Sequence, residues 1–118
     1  MSGNINFNGW INDDGSENYK CRAWVNFNGT GTVAIRDSGN VSSITDNGTG
    51  DYTVNFTTAM PDANYSAVYG RMIDGSAYPG GGFASVATYL STGFTLRPQR
   101  DTGGNNIDST IVTVAVFR

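Results

Sequence analysis

Two segments of the chain carry the residue types that recognise a polar ligand. They run from Arg71 to Gly82 and from Arg97 to Asp108, and both combine charged groups with glycine. Aromatic rings stack on the C–H groups of sugars, while arginine, carboxylate and amide groups make directional hydrogen bonds to hydroxyls. We therefore predict a glycan-binding site built from Arg71, Asp74, Tyr78, Arg97, Arg100, Asp101, Asn105 and Asn106. The alternative is that both segments are solvated hairpin turns that bind nothing.

The sequence offers little for catalysis. It contains no histidine, which excludes Ser-His-Asp and Cys-His catalysis and histidine-ligated zinc. Glycoside hydrolysis by two carboxylates needs no histidine, and ten acidic residues are present. Most of them lie beside Gly, Asn or Ser in predicted turns, and nothing predicts a pair in which burial raises one pKa. We expect the protein not to be an enzyme.

Metal, cofactor and thiol chemistry are equally poorly supported. The segment Asp46–Asp51 and the pair Asp13-Asp14 supply oxygen ligands that calcium accepts, but the former lacks the EF-hand spacing and its closing glutamate. We expect neither a metal nor a cofactor. The single cysteine, Cys21, cannot form an intrachain disulfide, and its place in an alternating apolar stretch predicts a buried structural thiol.

The charge balance argues against nucleic acid as a partner. Seven basic and ten acidic residues give a net charge of −3, and scattered basic residues cannot neutralise a phosphate backbone. No apolar run approaches the roughly 20 residues that span a bilayer, and no basic and then apolar signal segment follows Met1. We predict neither nucleic-acid binding nor membrane insertion.

Apolar residues recur with a period of two along most of the chain, whose 118 residues are enough for one core. The clearest runs are 21–27, 52–57 and 110–117, and further candidates are 32–36, 41–46, 65–73, 83–90 and 93–97. The runs are rich in β-branched and aromatic residues and alternate with Gly, Asn and Pro turns, as in an all-β sandwich. We predict one antiparallel β-sandwich domain over residues 19–118, preceded by a connector or an extra edge strand over residues 1–18.

The last predicted strand has apolar residues on both faces. Ile111, Ala115 and Phe117 lie on one face, and Val112, Val114 and Val116 lie on the other. Such a strand is typical of a central or interface position, where both faces are covered. The second face is covered either by another sheet of the same subunit or by further copies of the chain. The residues leave both possibilities open.

Three stretches resemble a known family. Cys21–Thr32, Gly50–Thr57 and Met60–Tyr65 look like the C-terminal domain of bacteriophage tail fibres, especially those of marine and cyanobacterial phages. The terminal run Val112–Arg118 resembles the way such chains end. The resemblance is specific from Cys21 to Tyr65 and looser beyond it.

The resemblance implies an assembly and a place of action. Distal domains of such fibres are usually homotrimers that meet the host surface at the tip, so the expected location is the virion, outside the cell. The implied partners are two further copies of the chain and a host surface glycan or outer-membrane receptor. One alternative is a structural cap that trimerises the end of the fibre and binds nothing. A polysaccharide-depolymerising tailspike fragment is a weaker alternative.

Overall fold

The computed structural model describes residues 3–6, 9–16, 20–72, 85–98, 103 and 105–118. Over these residues the chain forms ten β-strands and no helix, which confirms the all-β prediction. None of the described residues therefore belongs to a helix that could cross a bilayer. The strands are β1 (Gly3–Asn6), β2 (Gly9–Asn12), β3 (Cys21–Asn28), β4 (Ala34–Gly39), β5 (Val41–Gly48), β6 (Asp51–Phe56), β7 (Ser66–Met72), β8 (Ser85–Leu90), β9 (Gly93–Arg97) and β10 (Ile111–Phe117).

Eight of these strands form two antiparallel sheets of four. The first sheet has the order β4-β3-β10-β7, and the second has the order β5-β6-β9-β8. The two sheets form a β-sandwich, as the strand spacing predicts. β10 lies between β3 and β7, so the prediction of a central position for the last strand is confirmed.

The core lies between the sheets and follows from the period of two. Alternate residues of the four central strands point inward, because successive side chains of a strand face opposite sides of its sheet. Phe27 of β3 meets Tyr52 of β6 edge to face, with ring centroids 5.2 Å apart. The remaining buried hydrophobic side chains are Ala23, Val25, Val41, Val54, Phe56, Met60, Tyr65, Phe94, Leu96, Val112, Val114 and Val116.

The sandwich has two ends, which the strand directions distinguish. At the upper end β7 and β9 finish and β10 begins, and the Gly29 amide donates a hydrogen bond to the Ser109 carbonyl at 2.8 Å. At the lower end β3 begins and β10 finishes. There the Asn40 side chain donates to the carbonyls of Arg22 and Thr58, which joins the two sheets. The chain therefore enters the sandwich at the lower end.

The N-terminal strands β1 and β2 form their own two-stranded sheet. Asn6 pairs with Gly9, and Gly3 pairs with Asn12. Among the described residues, neither strand is hydrogen-bonded to the four-stranded sheets. The predicted domain boundary at residue 18 lies outside the described residues.

The prediction for Cys21 is wrong, since its side chain is exposed. Inward alternation along β3 begins only at Ala23, and the register with β10 shifts between Val116 and Phe117. Cys21 thus starts the strand beyond the edge of the core. Its Sγ lies 3.1 Å from the Ala23 carbonyl oxygen, which accepts its hydrogen bond.

Candidate functional site

The described ends of the two predicted binding segments lie at the upper end of the sandwich. Arg71 lies near the end of β7, Arg97 ends β9, and Asn105 and Asn106 lie on the connection that leads into β10. The Thr110 hydroxyl donates to the Met72 carbonyl at 2.8 Å, which ties the start of β10 to the end of β7. The other predicted site residues, Asp74, Tyr78, Arg100 and Asp101, lie outside the described residues.

Arg97 makes a contact within the second sheet. Its Nε donates to Asp51 Oδ2 at 3.0 Å, and this ion pair links β9 to the start of β6. The Arg97 side chain is half-exposed, so the pair stabilises the fold by about 1 kcal/mol at most. Because this guanidinium already has a carboxylate partner, a sugar that approaches Arg97 meets a partly neutralised cation.

Asp108 holds the base of the second segment. Its Oδ1 accepts hydrogen bonds from the Gly50 amide at 2.7 Å and from the Tyr52 hydroxyl at 2.9 Å. The Tyr52 hydroxyl also lies 2.7 Å from the Gly29 carbonyl oxygen. Burial, followed by the bond to the Asp108 carboxylate, raises the pKa of Tyr52 far above its ordinary value. Tyr52 is therefore a neutral donor that fixes the segment to both sheets.

Gly50 permits this arrangement for two reasons. Its φ of +60° lies in the left-handed region, and a Cβ at this position would lie 2.6 Å from the backbone nitrogen of Ile107. A larger residue would push the segment around Ile107 away from the turn that joins β5 to β6. The turn and the segment below the predicted site thus pack backbone to backbone.

The outer face of the first sheet carries a strip of apolar side chains beside polar ones such as Asn26, which accepts a hydrogen bond from Arg36. The sequence analysis anticipated only the β10 portion of this strip. Val68, Ala115 and Trp24 lie side by side on β7, β10 and β3. Val68 is 52% exposed and Trp24 is 41% exposed. Met72 and Phe117 extend the surface towards the two ends of the sheet. We call the surface formed by these five residues the apolar face.

Two features give the apolar face its shape. The Trp24 indole lies against Gly39 of β4, where an added Cβ would overlap the ring. A depression of about 320 Å³ runs between β7 and β10, lined by Val68, Thr113 and Ala115. Within the part of the chain that the structure describes, no further layer covers this face. The alternative of a covering sheet from the same subunit therefore finds no support among these residues.

The acidic segment considered for calcium forms the β5–β6 hairpin. Asp46 Oδ1 accepts a hydrogen bond from the Gly48 amide at 3.0 Å, and Asp51 pairs with Arg97. Over the described ranges, no three acidic or cysteine side chains lie close enough to share a metal ion. These carboxylates act as turn and sheet contacts.

Comparison with known proteins adds no relative. No family model matches the chain, and neither a curated protein nor a solved structure shows significant similarity to it. The functional interpretation therefore depends on the sequence and on the geometry described above.

Proposed function

We propose that this chain is the homotrimeric distal domain of a phage tail fibre and that its upper end recognises a host surface glycan. The apolar face carries this proposal. A face with Val68, Ala115 and Trp24 in one uncharged row is costly to leave in water, and contiguous exposed apolar patches are typical of interaction sites. A second copy of the chain provides the same apolar surface in return.

The number of copies comes from the resemblance to tail-fibre domains, which are usually homotrimers. A three-fold ring is one of the closed symmetries open to identical chains, and it suits a fibre whose long axis runs between the three subunits. Three copies that turn the apolar face towards a common axis would shield it from water. The second sheet, whose outer face is polar, would then face solvent.

The direction of the chain supports recognition at the upper end. The polypeptide enters β3 at the lower end, where β10 also finishes. Arg71 and Arg97 lie at the opposite end of the same sandwich, where β7 and β9 finish. Loops at the end of a β scaffold are the usual carriers of recognition, and β7 and β9 both finish at the end opposite the one at which the chain enters.

The structural cap is the second candidate, and one observation favours it. Arg97 and Asp108 are both used in contacts within the subunit. A cap needs this rigid upper end but no ligand. The two candidates share the trimer and differ only in glycan binding.

The solution mass tests the trimer. We expect light scattering across a dilution series to give a mass near three times 12.5 kDa. Val68→Lys should give a folded monomer, because it places a charge in the apolar face at a side chain that costs little to change in the free subunit. Leu90→Lys is the matched control, since Leu90 is equally exposed, at 55%, but lies on the outer face of the second sheet. It should remain a trimer.

A persistent wild-type monomer would overturn the trimeric proposal. A glycan-binding assay then decides whether the chain is a receptor-binding domain or a structural cap. Adsorption to host cells that is lost in Tyr78→Ala or Arg100→Ala supports recognition by the predicted segments. A stable trimer that binds no cell and no glycan is the cap.

A further inference from the structure

The outer face of the second sheet is a continuous polar surface. Thr45, Thr53 and Thr95 lie in one row across β5, β6 and β9. In the next row Asn55 pairs with Gly93, and Leu90 of β8 lies on the other side of Gly93. Hydroxyl and amide groups therefore cover the centre of this sheet, with one exposed leucine at its edge.

A depression of about 160 Å³ lies within this surface, between β6, β9 and β8. Its walls include Thr53, Asn55, Thr88, Leu90 and Thr95, and no charged side chain lines it. Pockets for drug-sized molecules measure roughly 300–1,000 Å³. This depression, which we call the side groove, therefore fits one small unit of a ligand.

The polar groups of the side groove are available for a ligand. The Asn55 amide nitrogen donates to the hydroxyls of Ser43 at 3.1 Å and Thr45 at 2.9 Å, which fixes the side chain. Among the described residues, no donor bonds to Asn55 Oδ1, and the hydroxyls of Thr88 and Thr95 make no hydrogen bond. The groove thus offers a fixed carbonyl acceptor and two hydroxyls that donate and accept.

The backbone at the groove is strained. Thr88 has a φ of +51°, in the left-handed region that a β-branched residue rarely adopts. A bulge at this point sets Thr88 and Tyr89 against the single residue between Gly93 and Thr95 of β9. The bulge lies at the side groove, whose wall includes Thr88 and Leu90. Strain of this kind is concentrated at functional sites.

We infer that the side groove binds one neutral sugar unit of a glycan. Sugar hydroxyls match the Asn55 carbonyl and the Thr88 and Thr95 hydroxyls, while the C–H face of a pyranose matches the exposed Leu90 side chain. An anionic ligand finds no cation in the lining, and a cationic ligand finds no carboxylate. The groove lies on the flank of the sandwich, so the inference goes beyond recognition at the upper end.

Titration of the isotope-labelled full chain with neutral oligosaccharides of glucose, galactose and mannose tests the inference. With at least one of them, we expect saturable shifts in the amide signals of Asn55, Thr88 and Thr95. Asn55→Ala and Thr95→Val should each raise the dissociation constant about fivefold, the effect of one lost hydrogen bond. Thr32→Val is the matched control, because Thr32 is exposed and precedes β4, away from the groove. It should bind as the wild type does.

The outcomes test sugar binding at the side groove independently of recognition at the upper end. Shifts confined to the upper end, or unchanged binding in Asn55→Ala and Thr95→Val, would overturn the side groove and leave recognition at the upper end standing. Shifts at the groove alone would support the inference and refute recognition by the upper-end segments. If no neutral oligosaccharide shifts either region, the side groove is refuted. An oligosaccharide of uronic acids, tested in parallel, should leave the groove signals unmoved.

Discussion

Two buried tyrosines should make this protein less stable at alkaline pH. Burial raises the pKa of Tyr65 to about 12, and the pKa of Tyr52 is raised further. Tyrosines in the unfolded chain lose their protons near pH 10, so above this pH the unfolded state binds fewer protons than the folded state. We therefore predict that the contribution of these two tyrosines to the free energy of unfolding is constant below about pH 10 and falls as the pH rises towards 12. Urea unfolding at pH 8, 10 and 11 measures this.

Substitution of Tyr65 tests whether this tyrosine causes the loss of stability at alkaline pH. Tyr65→Phe should flatten the decline and also lower stability at pH 8 by about 1 kcal/mol, because the hydroxyl lies within hydrogen-bond distance of the carbonyls of Leu90 and Gly93, both at 2.9 Å. Tyr69→Phe is the control, since Tyr69 is 38% exposed and its hydroxyl makes no hydrogen bond among the described residues. An alkaline slope that Tyr65→Phe leaves unchanged would contradict the assignment.

Strand β8 contains a strained backbone position, because Thr88 adopts a left-handed φ of +51°. Thr88→Gly relieves the left-handed backbone of a β-branched residue, and we predict that it stabilises the fold by about 1 kcal/mol. Ala87→Gly, one residue earlier on the same strand, should destabilise it by about 0.5–1 kcal/mol, since glycine weakens an ordinary strand position. Thermal unfolding of both variants gives the two signs. Equal destabilisation by both changes would mean that Thr88 stores no strain.

The strands themselves were largely predictable, whereas the groove was not. The period of two predicted all eight strands of the sandwich, from Cys21 to Phe117, because burial on one face imposes that period. It also placed apolar residues on both faces of β10, and so anticipated part of the apolar face. An extra residue in a strand leaves no mark in the period, and threonine is among the least expected residues at positive φ. The bulge at Thr88 therefore had no signal in the sequence.

Register explains what else escaped prediction. Thr53, Thr95 and Asn55 are far apart along the chain and become neighbours only when β6 pairs with β9. The same is true of Val68, Ala115 and Trp24, which come from three strands. The prediction that Cys21 is buried was wrong for a related reason. The partner strand β10 determines where the core ends along β3, and its register shifts at Phe117. Alternation gives the face of each residue, and cross-strand pairing decides which residues share a site.

In the whole molecule the two outer faces differ, since the first sheet carries the apolar face and the second carries the side groove. We therefore expect loss of assembly to reduce multivalent binding to a surface without reducing the affinity of each subunit. In the proposed trimer, three upper ends approach one glycan-coated surface together, and the three side grooves face outward on the flanks, where neighbouring chains of the same coat reach them. Val68→Lys removes the assembly but touches neither binding region. We predict that it lowers the apparent affinity for an immobilised polysaccharide by about 100-fold or more, since linked sites multiply binding. Its dissociation constant for a soluble oligosaccharide, measured per subunit by titration, should equal that of the wild type.

Leu90→Lys should show the reverse pattern. It keeps the apolar face intact, so the mass should stay that of the trimer. The charge that it adds to the side groove should lower the affinity of each subunit for the soluble oligosaccharide. The pair of variants therefore tests whether assembly and sugar binding occupy opposite sheets. If Val68→Lys also weakens the soluble ligand, the first sheet contributes to the binding site directly. If instead the Val68→Lys monomer retains full affinity for the immobilised polysaccharide, recognition does not depend on assembly, and the apolar face serves another partner.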